Sequence, residues 1–451
     1  MAGSPGTAVT YDNDKWGWVM VASLFVCCFV TMGNIKALGV LLIPINNDFD
    51  SDLWIIGWIA VWYNVTLNCL GPVVGALSRI LGSRPMMIFG GLLCTAGFML
   101  TSISTTVSQV AIFIIGLAGV GSSFVWFNNF AAMAWYFKDN YVTAFGIGTM
   151  GMPIGIMTLG PVTQVLVDTY GWRGTMLVLG GVSFHLVACG MLAQRDQFSS
   201  STDGEEYQVL REDDSMHAEE EANGTSVCTS AARNLPEQNL RERAREFCRR
   251  FIAALDCAVL TDVRFVLLTT ARCTVAFAFS GWMVYMVSHG QFQGLTETQA
   301  SFLPTAFGIG NIIGKAVAPV LHCFSLKPRM TILACFGCGL LCVSLVGHAF
   351  IRPFIGQMAV VGVVGAANSL IYQTVEVMTR FLSTDDRLVS ILGWQGVFTG
   401  VAAAFGGLTS GLVYEWSRSF SISFCMYGGL TLLAIPLLVI DDVIYTKQRQ
   451  R

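Results

Sequence analysis

Charged side chains are scarce in this sequence. Lys, Arg, Asp and Glu make up 12% of the 451 residues, against about 25% in an average soluble protein. This scarcity excludes an ordinary soluble enzyme, a disordered regulator and a nucleic-acid-binding protein, because each of these classes needs a charged surface. The chain is instead 54% hydrophobic with a mean hydropathy of +0.61, values that are typical of a protein embedded in a membrane.

Chemical motifs are also lacking. The 14 cysteines lie in apolar runs or in the charged central segment, so we expect no disulfide framework. Cys335 and Cys338 have the spacing of a redox or zinc pair, but they fall in an apolar helix, where small buried thiols are common. Because the sequence has no phosphate-binding loop, metal-ligand cluster or nucleophilic triad, it predicts no cofactor and no enzymatic activity.

Long apolar runs recur along the chain, and each can cross roughly 30 Å of hydrocarbon as a helix. They predict an all-α membrane protein with twelve transmembrane helices in two six-helix halves. The predicted spans are 17–45, 54–77, 86–105, 109–135, 144–167, 174–194, 265–288, 299–322, 330–350, 353–379, 388–413 and 420–440. The corresponding regions are a cytosolic tail at 1–15, a six-helix bundle at 16–194, a cytosolic loop at 195–263, a second six-helix bundle at 264–440 and a cytosolic tail at 441–451.

The distribution of basic residues predicts the orientation of these spans. Eleven Lys and Arg residues fall in the tails and short loops on one side, and three fall on the other. Cytosolic loops carry the excess of Lys and Arg in membrane proteins. Both termini and the 195–263 loop are therefore predicted to be cytosolic, in a multi-pass protein of the plasma membrane. The glycosylation sequon at Asn223 is then expected to stay unused.

The central loop has two parts of different composition. Residues 199–235 are acidic and poor in apolar side chains, so we expect them to be disordered. Residues 236–257 combine five Arg side chains with apolar residues at helical spacing. This pattern fits a helix on the anionic inner leaflet or a solvated linker helix, and the sequence leaves both interpretations open.

The two halves of the chain contain an internal repeat. Residues 160–167 of the fifth predicted span resemble residues 406–413 of the eleventh, 246 residues later. Trp172 and Trp416 then follow in corresponding outer loops. Duplicated halves of this kind enclose a binding site near the bilayer midplane in secondary transporters.

Three cations, Lys36, Arg272 and Lys315, lie within apolar spans. A charge there costs at least about 2.5–3.5 kcal/mol, so each needs a partner, a water-filled cavity or a short path to the headgroups. The sequence predicts that no acid deep in a span neutralises them, since Glu376 is assigned to an i,i+4 pair with Arg380. The missing partner is therefore predicted to be a carboxylate on the cargo.

Four motifs occur together in this chain: Trp16–Val19 entering the first span, Lys36–Val40 within it, Tyr136–Phe137 before the fifth, and Asn311 four residues before Lys315 in the eighth. Their combination resembles the monocarboxylate transporter family, within the major facilitator superfamily. The resemblance implies that Lys36 engages the substrate carboxylate, as the family's first-span lysine does. Proton-coupled members carry Asp where this chain has Asn311 and Arg where it has Lys315, so their proton relay cannot be carried over to Asn311.

The resemblance and the buried cations together imply a secondary transporter of monocarboxylates or similar small carboxylate-bearing organic solutes. Its substrate-binding candidates are Lys36, Arg272, Asn311 and Lys315. Two alternatives remain open: a facilitative uniporter of a zwitterionic or aromatic solute, creatine-like or amino-acid-like, and a non-transporting membrane sensor or scaffold. The expected partners are the solute and the lipid bilayer, while a proton, another coupling ion and a single-span chaperone glycoprotein are left open.

Overall fold

A computed structural model describes residues 15–49, 53–193, 245, 248–324, 328–382, 387–417 and 419–450. The described residues form helices and contain no β-strand. The acidic segment 199–235, predicted to be disordered, and the sequon at Asn223 lie outside the described residues. All-α architecture follows from the composition, because a backbone that crosses hydrocarbon must satisfy its own hydrogen bonds.

The first half of the chain forms six spans from ten helical segments. The second span is bent by 46° where its two helices meet, and Pro72 near the start of the second helix lacks an amide donor there. A π-helical stretch interrupts the fourth span without ending it. The segments are Lys15–Phe49, Leu53–Cys69, Gly71–Leu81, Ser83–Ser102, Val107–Ala111, Ile112–Gly119, Val120–Tyr136, Tyr141–Thr149, Gly151–Ser183 and His185–Leu192.

The second half of the chain forms spans seven to twelve. A short 3₁₀ helix precedes the seventh span, and a short helix with a capping box at Thr296 and Gln299 begins the eighth. The segments are Cys257–Thr261, Val263–Phe292, Glu297–Ser301, Leu303–Cys323, Met330–Phe350, Phe354–Arg380, Leu388–Ser417, Phe420–Thr431 and Ala434–Gln450.

The count of spans depends on a reversal at Gly171. By length and composition, ten described helices, or eleven with the bent pair, can cross a membrane. One of them, Tyr141–Leu192, has 52 residues, which at 1.5 Å per residue is about 78 Å and more than twice the bilayer core. The chain turns back at Gly171, whose φ of +69° suits glycine, and Gly190 then packs against Ile88 near the start of the third span. The fifth and sixth spans are thus separate, and the twelve-helix prediction is confirmed.

One end of the bundle carries the start of the first span at Lys15 and the end of the twelfth at Gln450. We call it the terminus end. A buried apolar cluster at this end draws on both halves, with Leu24 and Phe137 from the first and Ala318 from the second. Two other large clusters each draw on a single half. Apolar packing between the halves is therefore concentrated at the terminus end.

Polar contacts between the halves follow the same distribution. Arg380 Nη2 donates to the carbonyl oxygen of Ala134 over 3.3 Å, and Thr143 Oγ1 lies 3.2 Å from His322 Nδ1. Both contacts join a described residue of the first half to one of the second at the terminus end. The structure is therefore closed at this end.

Candidate functional site

The eighth and tenth spans pack backbone against backbone. A Cβ atom added to Gly310 or Gly314 of the eighth span would overlap the carbonyl oxygen of Gly362 or Ala366 of the tenth. Only glycine permits so close an approach of two helices. The contact places Lys315, the residue after Gly314, beside the polar side chains that the tenth span carries.

A buried ion pair joins the seventh and tenth spans. Arg272 Nη2 donates to Glu376 Oε1 over 2.8 Å, and the two side chains are 16% and 8% exposed. Arg272 Nη1 also donates to Gln395 Oε1 of the eleventh span over 3.3 Å. The guanidinium carbon lies 5.2 Å from the centre of the Tyr372 ring, within cation–π range. Arg272 is thus held from three sides within the second half.

This pair corrects the interpretation of the buried cations. The prediction that no acid lies deep enough to neutralise them is wrong, because Glu376 is paired with Arg272. Arg272 does not extend to the headgroups but bonds within the bundle. Sequence spacing reveals partners along one helix, whereas these two residues are 104 positions apart and meet because the seventh span packs on the tenth.

Lys315 faces the first half of the molecule. It is 4% exposed, and among the described residues it makes no hydrogen bond and no salt bridge. It shares a helix face with Gly308 and Pro319, which contact Met157 and Gly146 of the fifth span. Its ammonium group is therefore enclosed between the halves and does not extend to the headgroups.

The charges around Lys315 do not balance. Lys315 lies near Glu376 of the tenth span and near Cys28 of the first. Glu376 is already paired with Arg272. We call Arg272, Lys315 and Glu376 the buried charge cluster; with all three ionised it carries one net positive charge. A buried charge without a partner is costly. The cluster can be neutralised by one anion.

Uncharged polar groups flank this cluster. Asn311, one turn before Lys315, accepts a hydrogen bond from Ser369 Oγ on its backbone oxygen over 2.8 Å, and its side-chain amide makes none within the described part of the chain. Gln373 is fully buried, packs against Gly146 of the first half, and neither of its amide atoms has a described partner. Buried polar atoms in native proteins normally have partners, so the two amide atoms of the buried Gln373 are free to bond to a ligand.

Lys36 lies apart from the buried charge cluster. Its side chain is exposed, and its aliphatic part packs against Gly160 of the fifth span. Cys28, which is near Lys315, precedes Lys36 by eight residues, so Lys36 lies about 12 Å further along the first span, away from the terminus end. The two lysines therefore occupy different depths of the bundle.

The four candidates thus separate into two locations. Arg272, Lys315 and Asn311 come together between spans seven, eight and ten, and Lys36 does not join them. Sequence reasoning missed Gln395 and Tyr372, which hold Arg272. For Gln395, the occurrence of a glutamine within an apolar run is the one signal in the sequence that could have indicated a role in the site.

Comparisons of the sequence with known proteins agree with this architecture. The model of the Major Facilitator Superfamily matches residues 24–366, more than half of the chain. The chain is 27% identical to Monocarboxylate transporter 12 of Homo sapiens over 304 residues, which are 66% of this chain and 55% of that protein. It is 23% identical to Monocarboxylate transporter 12-B of Danio rerio over 442 residues, 97% of this chain and 89% of that one. The match with the human protein therefore spans little more than half of that relative's length.

Solved structures show the same fold. The human organic anion transporter MFSD10 superposes with a TM-score of 0.65 at 14% identity, covering 94% of this chain and 100% of that one. A fucose:proton symporter from E. coli superposes with a TM-score of 0.63 at 14% identity, covering 94% and 98%. This chain belongs to the Major Facilitator Superfamily, and the curated proteins to which it is similar are monocarboxylate transporters.

Proposed function

We propose that this chain is a secondary transporter of monocarboxylates or similar small carboxylate-bearing organic solutes, working by alternating access in the plasma membrane. The observation that carries the proposal is Lys315, a buried cation between the halves with no ion-pair partner among the described residues. A solute carboxylate supplies the missing charge, and a charge-assisted hydrogen bond is strongest where water is excluded. The names of the curated relatives support the same class of solute.

The two lysines act in sequence along the path of the solute. In this proposal the terminus end faces the cytosol, since the excess of Lys and Arg lies there. The closed end of the structure is then the cytosolic one. Lys36 captures the carboxylate from outside, and Lys315 holds it about 12 Å deeper, where Asn311 and Gln373 bond to its other polar atoms.

The coupling of transport depends on the residue at position 311. The amide of Asn311 does not ionise near neutral pH, so it cannot take up and release a proton as the carboxyl of an Asp does. Transport in this proposal is therefore not obligatorily driven by protons. The remaining titratable groups near the solute are Lys315 and Glu376, and these are where proton coupling would have to occur.

A facilitative uniporter of a zwitterion is the second candidate. It is favoured by Glu376 Oε2, which is buried and has no hydrogen-bond partner in the described part of the chain. The ammonium group of an amino-acid-like or creatine-like solute can donate to this oxygen while the solute carboxylate bonds to Lys315. A plain monocarboxylate leaves Glu376 Oε2 unsatisfied.

Uptake by purified protein in proteoliposomes tests both candidates. The panel consists of labelled monocarboxylates, zwitterions of similar size and the primary amide of each acid, with and without a pH gradient. We expect uptake of acids over their amides, because the amide cannot neutralise Lys315. Preference for zwitterions supports the second candidate, and no uptake by folded protein favours the sensor or scaffold alternative.

A further inference from the structure

Two adjacent cysteines of the first span have different surroundings. Cys27 and Cys28 are both fully buried. Cys27 belongs to an apolar cluster formed within the first half and lies near Cys189 of the sixth span. Cys28 belongs to the cluster that joins the two halves at the terminus end. Because neighbouring residues of an α-helix point about 100° apart, the two thiols reach different parts of the molecule.

The Cys28 thiol lies at the boundary between the halves, near Lys315 of the eighth span. Ala318, about one helical turn after Lys315, belongs to the same buried cluster as Cys28. Among the described residues, the Cys28 sulfur makes no hydrogen bond and Lys315 has no ion-pair partner. The space between the two halves is therefore bordered by a thiol on one side and by an unpaired cation on the other.

One face of the first span connects Cys28 with Lys36. Cys28, Met32 and Lys36 follow one another at intervals of four residues, so they lie along the same side of the helix. Lys36 is exposed, Met32 is half-buried and Cys28 is fully buried, so exposure decreases towards the terminus end. In the proposed function a solute that moves from Lys36 to Lys315 follows this face and arrives beside Cys28.

We propose that Cys28 forms the wall of the solute site on the side of the first half, so that a small carboxylate bound by Lys315 contacts the Cys28 sulfur. The inference rests on the proposed function, in which Lys315 binds the carboxylate. It adds a contact from the first half, and a solute held between Cys28 and Lys315 touches both halves of the chain at once. It also makes Cys28 a site of covalent modification by electrophiles that carry a carboxylate.

Iodoacetate is a small monocarboxylate that reports this contact chemically, and iodoacetamide is its uncharged counterpart. In either reaction the Cys28 sulfur bonds to the methylene carbon as the carbon–iodine bond breaks. The iodide leaves with the bonding electron pair, and the thiol proton passes to the buffer. Because Lys315 attracts only the carboxylate, we expect iodoacetate to be favoured at Cys28. Cys323, which is exposed, is the reference thiol for the intrinsic reactivity of the two reagents.

The measurement uses the purified full chain in lipid nanodiscs. The protein is treated with each reagent, quenched and digested with trypsin, and cleavage after Lys15 and Lys36 releases residues 16–36. The thiols of this fragment are Cys27 and Cys28. The variants Cys27→Ser and Cys28→Ser each leave one of them, so mass spectrometry gives the labelling rate of each thiol separately. The quantity compared is the ratio of the iodoacetate rate to the iodoacetamide rate, relative to the same ratio at the reference thiol.

The relative ratio at Cys28 is expected to be about tenfold above that of the reference thiol, a difference that corresponds to 1.4 kcal/mol. Lys315→Met removes the charge and is expected to abolish this preference. Excess propionate is expected to slow the labelling of Cys28 in the chain with Lys315 intact, whereas propionamide is not. Cys27 is the matched control, since it is equally buried one residue away, and it is expected to show neither preference nor protection.

Equal ratios at Cys28 and at the reference thiol overturn the inference. So do the absence of labelling at Cys28 with both reagents and an equal preference at Cys27. If Lys315→Met does not fold, protection of Cys28 by propionate decides the question. Labelling of Cys28 that depends on Lys315, without any uptake of carboxylates, supports the contact and contradicts the proposed transport. Uptake of carboxylates without such labelling overturns the contact and leaves the proposed transport intact.

Discussion

Arg272 and Glu376 are 104 residues apart in the sequence, yet Arg272 Nη2 lies 2.8 Å from Glu376 Oε1 inside the second half. The pair neutralises two of the three charges in the buried charge cluster. It leaves Lys315 as the cation of the cluster that has no ion-pair partner among the described residues. In the proposed function, the pair therefore decides the net charge that the site presents to the solute.

The first prediction concerns the stability of this pair. Arg272→Met leaves the Glu376 carboxylate buried without its partner, and we expect a loss of about 3–5 kcal/mol in the free energy of unfolding. The double variant Arg272→Met/Glu376→Met is expected to recover most of this loss, since neither member of the pair is left buried without the other, and Lys315 is unpaired in every variant compared. Thermal unfolding in detergent measures both. Arg329→Gln, which breaks a surface pair, is the control and is expected to change stability by at most about 1 kcal/mol.

The second prediction concerns Lys315. Lys315→Ala removes the cation that offsets a desolvated carboxylate, an interaction worth roughly 2–5 kcal/mol when one partner is truncated. We expect uptake to fall at least about tenfold with surface expression intact. Lys315→Arg is expected to retain part of the activity, because it keeps the charge but changes the geometry. Unimpaired uptake by Lys315→Ala would remove the basis of the proposed site.

The third prediction concerns Lys36. Lys36 is exposed and lies about 12 Å from the level of Lys315 along the first span. We therefore expect Lys36 to act in the initial capture of the solute and not to contact the solute at the deeper site. Lys36→Ala is expected to raise the concentration of solute needed for half-maximal uptake more than it lowers the maximal rate. Initial rates across a range of solute concentrations measure this. An unchanged concentration dependence indicates that Lys36 merely extends to the headgroups.

The fourth prediction concerns coupling. Because Asn311 does not titrate, an inward proton gradient is expected not to accumulate the solute above equilibrium in proteoliposomes. Asn311→Asp introduces a carboxyl one helical turn from Lys315 and is expected to make uptake more sensitive to pH. Concentrative uptake by the unmodified chain contradicts this prediction and moves the proton site to Lys315 or Glu376.

The fifth prediction concerns topology. Both termini and the 195–263 loop are expected to face the cytosol. An epitope inserted after Thr225 should be reached by antibody after permeabilisation of cells, and Asn223 should carry no glycan. Antibody binding to intact cells, or a mass shift on removal of N-glycans, reverses the orientation and with it the assignment of the closed end to the cytosolic side.

The sequence alone determined the membrane architecture. Bilayer thickness sets the length of a spanning helix, so runs of apolar residues give the number of spans and the break between the halves. The cost of burying charge likewise made Lys36, Arg272 and Lys315 visible as exceptions. These are properties of one helix at a time, and a sequence records them directly.

The tertiary structure decided which charges meet. The partner of Arg272 lies on another helix. The carboxylate that pairs with Arg79 and Arg387 comes from the central loop. No sequence spacing predicts either contact. The position of Lys315 within an apolar run predicted that it is buried. Its lack of an ion-pair partner became clear only from the structure, because Glu376 is paired with Arg272. Contacts between helices arise from packing that glycines such as Gly314 permit, and the charge that remains unpaired is a property of the assembled bundle.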